Sequence, residues 1–126
     1  MLYTDASALV KLVYTESESE AVARALAGTQ VLSSMIAAVE VSLTARQGLG
    51  EPGAERAAAV IADVTLLELR WDIVGVASTF TRLRTLDAIH LATALSVAGD
   101  LDGLVSYDTR LTEAAASAGL HVLSPV

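Results

Sequence analysis

Short apolar runs alternate along the chain with longer stretches that have helical periodicity. The short runs predict five β-strands, which are "MLYT", "QVLSS", "VTLLEL", "GLVSYD" and "HVLSP". The longer stretches predict α-helices, which are "ASALVKLVYT", "ESESEAVARALAG", residues 34–47, "AERAAAVIAD", "WDIVGVASTFTRL", "LDAIHLATALSVAG" and "TRLTEAAASAG". Strands that alternate with helices favour a parallel sheet with helices on both faces. We therefore expect an α/β fold of three layers, α/β/α, around a central parallel sheet of about five short strands.

Polar residues and glycines predict where these helices begin and end. Asp5 is placed to cap the first helix, and Thr85 to cap the helix that contains "LDAIHLATAL". Glutamates fill the expected first turn of the second helix, and Gly28 ends it. The stretch "GLGEPG", residues 48–53, matches the dinucleotide-binding pattern G-x-G-x-x-G, but a helix precedes it where that pattern requires a strand. We therefore expect a turn between two helices there.

The composition is that of a single folded domain over residues 1–126. Hydrophobic residues make up 53% of the chain and charged residues 18%, with a mean hydropathy of +0.54, which excludes disorder. We see neither a signal peptide nor an apolar run near the roughly 18 residues needed to cross a bilayer. The absence of cysteine excludes disulfides and thiolate metal sites. These features predict a cytoplasmic protein with no membrane partner.

The net charge of −7 argues against a nucleic-acid partner, because phosphates are usually bound by basic patches. Lys11 is the only lysine, and it accompanies seven arginines. An acidic total is nevertheless compatible with a local basic rim. Divalent cations bound to carboxylates would also move the effective charge toward zero.

Four acidic residues differ in their setting from most of the others, which lie in polar turns. Asp5 and Asp108 end predicted strands, whereas Glu40 and Asp87 lie on apolar helices. Each aspartate alone has a structural explanation, as a helix cap or near a helix N-terminus. Glu40 lies too deep in its helix to cap it. Gathered together, the four would repel one another without a cation, and an all-oxygen site suits Mg²⁺ or Mn²⁺.

Four segments resemble the successive motifs of PIN-domain ribonucleases, and most closely those of the VapC toxins of VapBC toxin–antitoxin systems. The segments are "LYTDASALVKL", "LSSMIAAVEVS", "LRTLDAIHLATAL" and "LVSYDTRL", in the family's order and over nearly the whole chain. The resemblance implies a PIN-like fold and assigns Asp5, Glu40, Asp87 and Asp108 to the family's acidic quartet. Ser106 matches the small hydroxyl residue often found two positions before the last acid.

The same resemblance implies a metal-dependent endoribonuclease, in which metal-activated water hydrolyses an RNA phosphodiester bond. Asp5 and Asp87 are the expected direct ligands of the main ion, which is Mg²⁺ or Mn²⁺. Asp108 would bind it directly or through water. Glu40 would complete a second metal position or orient the attacking water.

Several neighbouring polar residues are candidates for supporting roles. Ser7 and Ser106 are expected to orient carboxylates through hydrogen bonds. Arg84, Arg82 and Arg110 flank the acids and are candidates for contacts with RNA phosphates, with ordinary surface ion pairs as the alternative.

His90 follows Asp87 by three residues and faces an apolar surface. Because Mg²⁺ rarely binds imidazole, a buried histidine with hydrogen-bond partners is favoured over a metal ligand.

The partners implied by the resemblance are an RNA substrate, a VapB-like antitoxin that inhibits the toxin, and a second copy in a homodimer. One alternative is a PIN-like nuclease of RNA processing that has no antitoxin. Another is a non-catalytic module that only binds a partner. The nuclease hypothesis predicts that Asp5→Ala or Asp87→Ala abolishes cleavage, leaves the protein folded and raises its heat stability without metal, whereas the module predicts no loss.

Aspartyl phosphotransfer is disfavoured by two positions. Ser7 stands where haloacid-dehalogenase phosphatases need a second aspartate, and no lysine follows Lys11, although a response-regulator receiver needs one after a late strand.

Overall fold

The computed structural model describes all 126 residues and contains five strands and six α-helices. Their order is the predicted one, except that the third and fourth predicted helices form one kinked helix. The elements are β1 (Leu2–Thr4), α1 (Ala6–Val13), α2 (Ser19–Leu26), β2 (Val31–Ser34), α3 (Ile36–Ala62), β3 (Thr65–Leu67), α4 (Trp71–Ala77), α5 (Thr85–Ser96), β4 (Gly103–Val105), α6 (Thr109–Ser117) and β5 (Val122–Leu123). None of the helices has both the length and the apolar character needed to cross a membrane.

The strands form one parallel sheet in the order β3-β2-β1-β4-β5. The chain builds outward from β1 through β2 to β3 and then crosses back to add β4 and β5 on the other side. Strand β1 therefore lies at the centre, where Thr4 pairs with Val105 of β4. In open parallel sheets, ligands bind beyond the carboxyl ends of the strands at such a switch point. Asp5 and Asp108 both follow the strands that flank it.

Alternate residues of the central strands point to opposite faces of the sheet, and each face is covered by helices. Tyr3 and Leu104 pack with residues of α5 and α6. Leu2 and Val105 pack against α1 and α2 on the other face. Helix α3 packs on α1, and α4 packs on α5. This arrangement confirms the three-layer α/β/α fold.

The "GLGEPG" stretch is a kink within α3, so the prediction of a turn between two helical segments is correct. Gly50 has φ 67° and ψ −151°, a backbone conformation that favours glycine. Three residues later, a Cβ atom on Gly53 would lie 2.3 Å from the Ala45 carbonyl oxygen. Gly50 thus permits the kink, and Gly53 allows the two helical segments to pack closely.

Some predicted boundaries were wrong. Helix α2 begins at Ser19, so Glu20 is the one acid in its first turn and the earlier glutamates lie in the preceding turn. Thr85 does not cap α5: it is the first helical residue, and Arg84 occupies the cap position without a capping side-chain hydrogen bond. Helix α4 ends at Ala77, short of its predicted end at Leu83, and residues 78–79 form a turn.

Candidate active site

Asp5 lies directly after the central strand and is held by three hydrogen bonds. It caps α1, with Oδ1 accepting from the Ala8 amide at 3.1 Å. The Ser7 hydroxyl donates to Oδ1 at 2.7 Å, and the Ser106 hydroxyl donates to Oδ2 at 2.7 Å. The residue is 4% exposed. Its carboxylate is therefore fixed in orientation by the two serines that the sequence singles out.

The same two hydroxyls also accept hydrogen bonds from the loop after β4. The Tyr107 amide donates to Ser7 Oγ at 2.9 Å, and the Asp108 amide donates to Ser106 Oγ at 3.0 Å. Ser106 thus connects the carboxylate of Asp5 to the backbone of Asp108. The connection couples the ends of β1 and β4 across the switch point.

Asp87 and Asp108 approach each other through Arg84. The Arg84 guanidinium lies 3.5 Å from Asp87 Oδ2, measured from Nε, and 3.3 Å from Asp108 Oδ2, measured from Nη2. Asp108 caps α6 with its other oxygen, which accepts from the Arg110 and Leu111 amides. Asp87 is 8% exposed, and its Oδ2 is buried without a hydrogen-bond partner. A cationic side chain therefore stands between two carboxylates.

Glu40 reaches the same place from α3 and is bound by a histidine. His90 Nε2 lies 2.7 Å from Glu40 Oε1, and His90 Nδ1 lies 2.7 Å from the Tyr3 hydroxyl. His90 is only 2% exposed, which confirms the interpretation of a buried histidine with hydrogen-bond partners. Tyr3 was missed by the sequence analysis, because its apolar surroundings predict only a core strand residue.

Three of the four acids line one cavity of about 320 Å³, together with Arg84, Thr85 and Leu86. These acids are Glu40, Asp87 and Asp108. Asp5 does not line the cavity, but Ser106 connects its carboxylate to the backbone of Asp108, which does.

The arginines of the predicted rim separate in the structure. Arg84 contacts the acids, whereas Arg82 lines a different cavity with Phe80 and Ala118. The Arg110 side chain is exposed on the first turn of α6, and only its backbone amide contacts Asp108. Arg84 is therefore the one candidate that the structure places among the acids.

Comparison with known proteins identifies the family. The family model described as "PIN domain" matches residues 2–117. The chain is 38% identical over 127 residues to ribonuclease VapC46 of Mycobacterium tuberculosis, covering 98% of this chain and 97% of the relative. It is 34% identical over 133 residues to ribonuclease VapC47 of the same species, covering 99% and 97%. The chain belongs to the PIN-domain family, among its VapC ribonucleases.

Solved structures of toxins share the fold. The crystal structure of the sarcin-ricin loop cleaving toxin VapC20 of M. tuberculosis superposes with a TM-score of 0.74 at 15% identity, covering 95% of this chain and 96% of that one. A toxin–antitoxin complex from Klebsiella pneumoniae gives a TM-score of 0.74 at 23% identity, covering 100% and 98%. The predicted PIN fold and the predicted membership of the VapC ribonucleases are confirmed.

Burial and mutual repulsion shape the electrostatics of this PIN domain. Burial raises the pKa of Asp5 above its usual value, although hydrogen bonds from Ser106 and Ser7 oppose the increase. Burial also raises the pKa of Asp87, and the negative charge of Asp108 raises it further, against the opposing effect of Arg84. The folded chain therefore favours the protonated form of both acids more than an unfolded chain does.

The donor set fits a hard divalent cation in its chemistry. All four acids offer carboxylate oxygens, and one buried oxygen of Asp87 has no hydrogen-bond partner and only an ion pair with Arg84. As they stand, no three His, Asp or Glu side chains are arranged so that they could hold a metal ion. The positive charge of Arg84 lies between two of the candidate ligands instead.

The raised pKa values predict how the metal-free PIN domain responds to pH. A carboxyl group whose pKa is raised on folding destabilises the fold when it is ionised, and this destabilisation disappears as the pH falls through the folded-state pKa. We expect Asp87→Asn to have a higher Tm than the wild type in EDTA at pH 7.5, and the difference to shrink as the pH falls toward the usual aspartate range, near about 4. Thermal unfolding followed by circular dichroism measures this difference, and a gap that widens in acid would contradict the prediction.

Proposed function

We propose that this VapC ribonuclease hydrolyses RNA phosphodiester bonds with a divalent cation, Mg²⁺ or Mn²⁺, that its acidic quartet holds. One observation carries the proposal: Glu40, Asp87 and Asp108 come from three separate elements and line one cavity at the switch point of the sheet. Asp5 is connected to Asp108 through Ser106, which donates to the Asp5 carboxylate and accepts from the Asp108 amide. Carboxylates held close together repel one another, and this repulsion destabilises the fold unless a cation offsets it.

Each acid has a role that follows from its contacts. Asp5, Asp87 and Asp108 would hold the ion, because Asp87 and Asp108 line the cavity and Asp5 is connected to Asp108 through Ser106. Glu40 has a hydrogen-bond donor in His90 on one oxygen, so its other oxygen would complete the metal position or orient the attacking water. When bound, the cation lowers the pKa of water and stabilises charge on the phosphate oxygens.

Arg84 is the side chain best placed to bind the scissile phosphate. Its side chain is 66% exposed at the mouth of the cavity while its guanidinium contacts the acids beneath. A guanidinium suits the geometry of a phosphate, and an RNA phosphate would replace the carboxylates as its anionic partner. This local positive charge would allow a chain whose net charge is −7 to bind RNA.

We propose a cytoplasmic location, a VapB-like antitoxin as inhibitor, and a homodimer. An apolar stripe begins at Met35, the N-cap residue of α3, and continues at four-residue intervals with Val39 and Leu43 of the helix. These three residues are 47%, 66% and 51% exposed. A contiguous apolar stripe of this kind is typical of a protein–protein contact.

The test of this function is cleavage of RNA by the purified chain. We expect cleavage with Mg²⁺ or Mn²⁺, none in EDTA, and recovery when the metal is restored. Asp108→Asn should lose activity with either metal, whereas Glu55→Gln, which changes an exposed acid on α3, should keep it. Full activity in EDTA would contradict the metal, and full activity of Asp108→Asn would contradict the site.

A further inference from the structure

A line of hydrogen bonds runs from the core of the sheet to the cavity. The Ser34 amide donates to the Tyr3 hydroxyl oxygen at 3.1 Å, this oxygen lies 2.7 Å from His90 Nδ1, and His90 Nε2 lies 2.7 Å from Glu40 Oε1. Tyr3 is 0% and His90 2% exposed, whereas the Glu40 side chain is 22% exposed at the cavity wall. The line therefore joins β2, β1 and α5 in the buried interior to Glu40 of α3 at the cavity wall.

The protons along this line have a defined order. Burial raises the pKa of the Tyr3 phenol well above its usual range, so the hydroxyl keeps its proton. Because the Ser34 amide already donates to the Tyr3 oxygen, the hydroxyl proton is available for His90 Nδ1. A neutral imidazole that accepts at Nδ1 carries its own proton on Nε2. With this tautomer the histidine donates to Glu40.

The Glu40 carboxylate needs such a donor to stay in the cavity. Asp87 and Asp108 line the same cavity and would repel it toward solvent. A glutamate also has several rotatable bonds, and holding it in one rotamer costs conformational entropy. His90 is its one hydrogen-bond partner in the structure, and this partner is itself immobile in the core.

We propose that His90 is a positioning residue for Glu40, which it holds at the cavity wall, and that Tyr3 fixes the orientation and tautomer of the histidine ring. This proposal extends the proposed function, since it assigns the structural origin of one member of the quartet. It also explains why a polar residue interrupts the buried face of α5 three residues after Asp87.

A double-mutant cycle on Mn²⁺ binding, measured by calorimetry, tests the coupling. His90→Leu removes the donor, and His90→Gln keeps an amide donor near the position of Nε2. We expect His90→Leu to weaken Mn²⁺ binding by about 10–100-fold, as is typical when the support of a ligand is lost, and His90→Gln to stay within about fivefold of the wild type. If His90 acts through Glu40, His90→Leu should add nothing in a Glu40→Gln background. The proposal would be overturned if the effects of His90→Leu and Glu40→Gln on the Mn²⁺ dissociation constant multiplied in the double variant. It would also be overturned if His90→Leu bound Mn²⁺ within twofold of the wild type.

The histidine ring itself gives a readout that is independent of RNA and metal. In ¹⁵N-resolved NMR of the metal-free protein at pH 8, we expect the Nε2–H tautomer. Tyr3→Phe keeps the core volume and removes only the hydroxyl, so it should shift the Nδ1 resonance and weaken Mn²⁺ binding in the same direction as His90→Leu. If His90→Leu fails to fold, Tyr3→Phe tests whether the orientation of the His90 ring affects Mn²⁺ binding.

An Nδ1–H tautomer in the wild type would overturn the positioning role whatever the cleavage assay shows. If instead the Nε2–H tautomer and the non-additive cycle are found while the wild type cleaves no RNA, the positioning role stands and the proposed function fails.

Discussion

Asp87→Asn is expected to reduce RNA cleavage at least about 100-fold while raising the stability of the metal-free protein. The proposed cation would contribute several kcal/mol to stabilisation of the transition state, and each 1.4 kcal/mol corresponds to a factor of ten in rate. The stability should rise because the asparagine removes a buried charge that Asp108 repels and whose Oδ2 has no hydrogen-bond partner. For a domain of this size we expect a gain of about 2–4 °C in Tm, measured in EDTA.

Opposite changes in activity and stability distinguish a functional carboxylate from a structural one. Asp100→Asn is the matched control, because Asp100 is exposed and makes no side-chain hydrogen bond or ion pair in the structure. It should change neither the cleavage rate nor the Tm. Saturating Mn²⁺ should stabilise the wild type more than Asp87→Asn, since a ligand stabilises the state that binds it. Cleavage by Asp87→Asn at the wild-type rate would remove this residue from the site.

The arrangement of layers and the position of the site could be predicted from local patterns. Alternating strands and helices specify a parallel sheet, and Asp5 and Asp108 end strands that this topology places side by side. Glu40 and Asp87 are conspicuous because an apolar helix face rarely carries an unpartnered acid. These signals depend on nearest neighbours in the sequence, which is why they could be read without coordinates.

The partners of these acids could not be predicted, because they depend on packing between distant segments. Glu40 and His90 are 50 residues apart, and Tyr3 and His90 are 87 apart. The hydrophobic periodicity of the sequence does not indicate that α3 and α5 are in contact at Glu40 and His90. Sequence analysis therefore recognised a buried histidine but not its partner.

Arg84 illustrates the same limit. Its place before the Asp87 helix indicates a phosphate contact, but the conformation of a long side chain depends on the charges around it. In the structure, the Arg84 guanidinium forms ion pairs with both Asp87 and Asp108. The sequence indicated the residue and not its contacts in the metal-free chain.

Asp5 is expected to behave differently from Asp87 although both belong to the quartet. Asp5→Ala removes the cap of α1 and leaves the hydroxyls of Ser7 and Ser106 without their shared acceptor. Loss of a cap costs about 1 kcal/mol, and a buried unsatisfied group costs about 1–3 kcal/mol. Relief of the buried charge offsets part of this cost. We therefore expect a net loss of about 2 kcal/mol in the free energy of unfolding, measured in urea, where relief of repulsion alone predicts a gain.

Asp5→Asn separates the two roles of this carboxylate. The asparagine keeps an oxygen that can accept from the Ala8 amide and a hydroxyl, so the protein should stay within about 1 kcal/mol of the wild type. Its neutral amide is a poor ligand for a hard cation, so cleavage should still fall at least about 100-fold. An Asp5→Ala protein that is more stable than the wild type would show that repulsion outweighs these hydrogen bonds. If Asp5→Asn retained full cleavage, Asp5 would be only a helix cap, and metal binding would rest on the three acids that line the cavity, Glu40, Asp87 and Asp108.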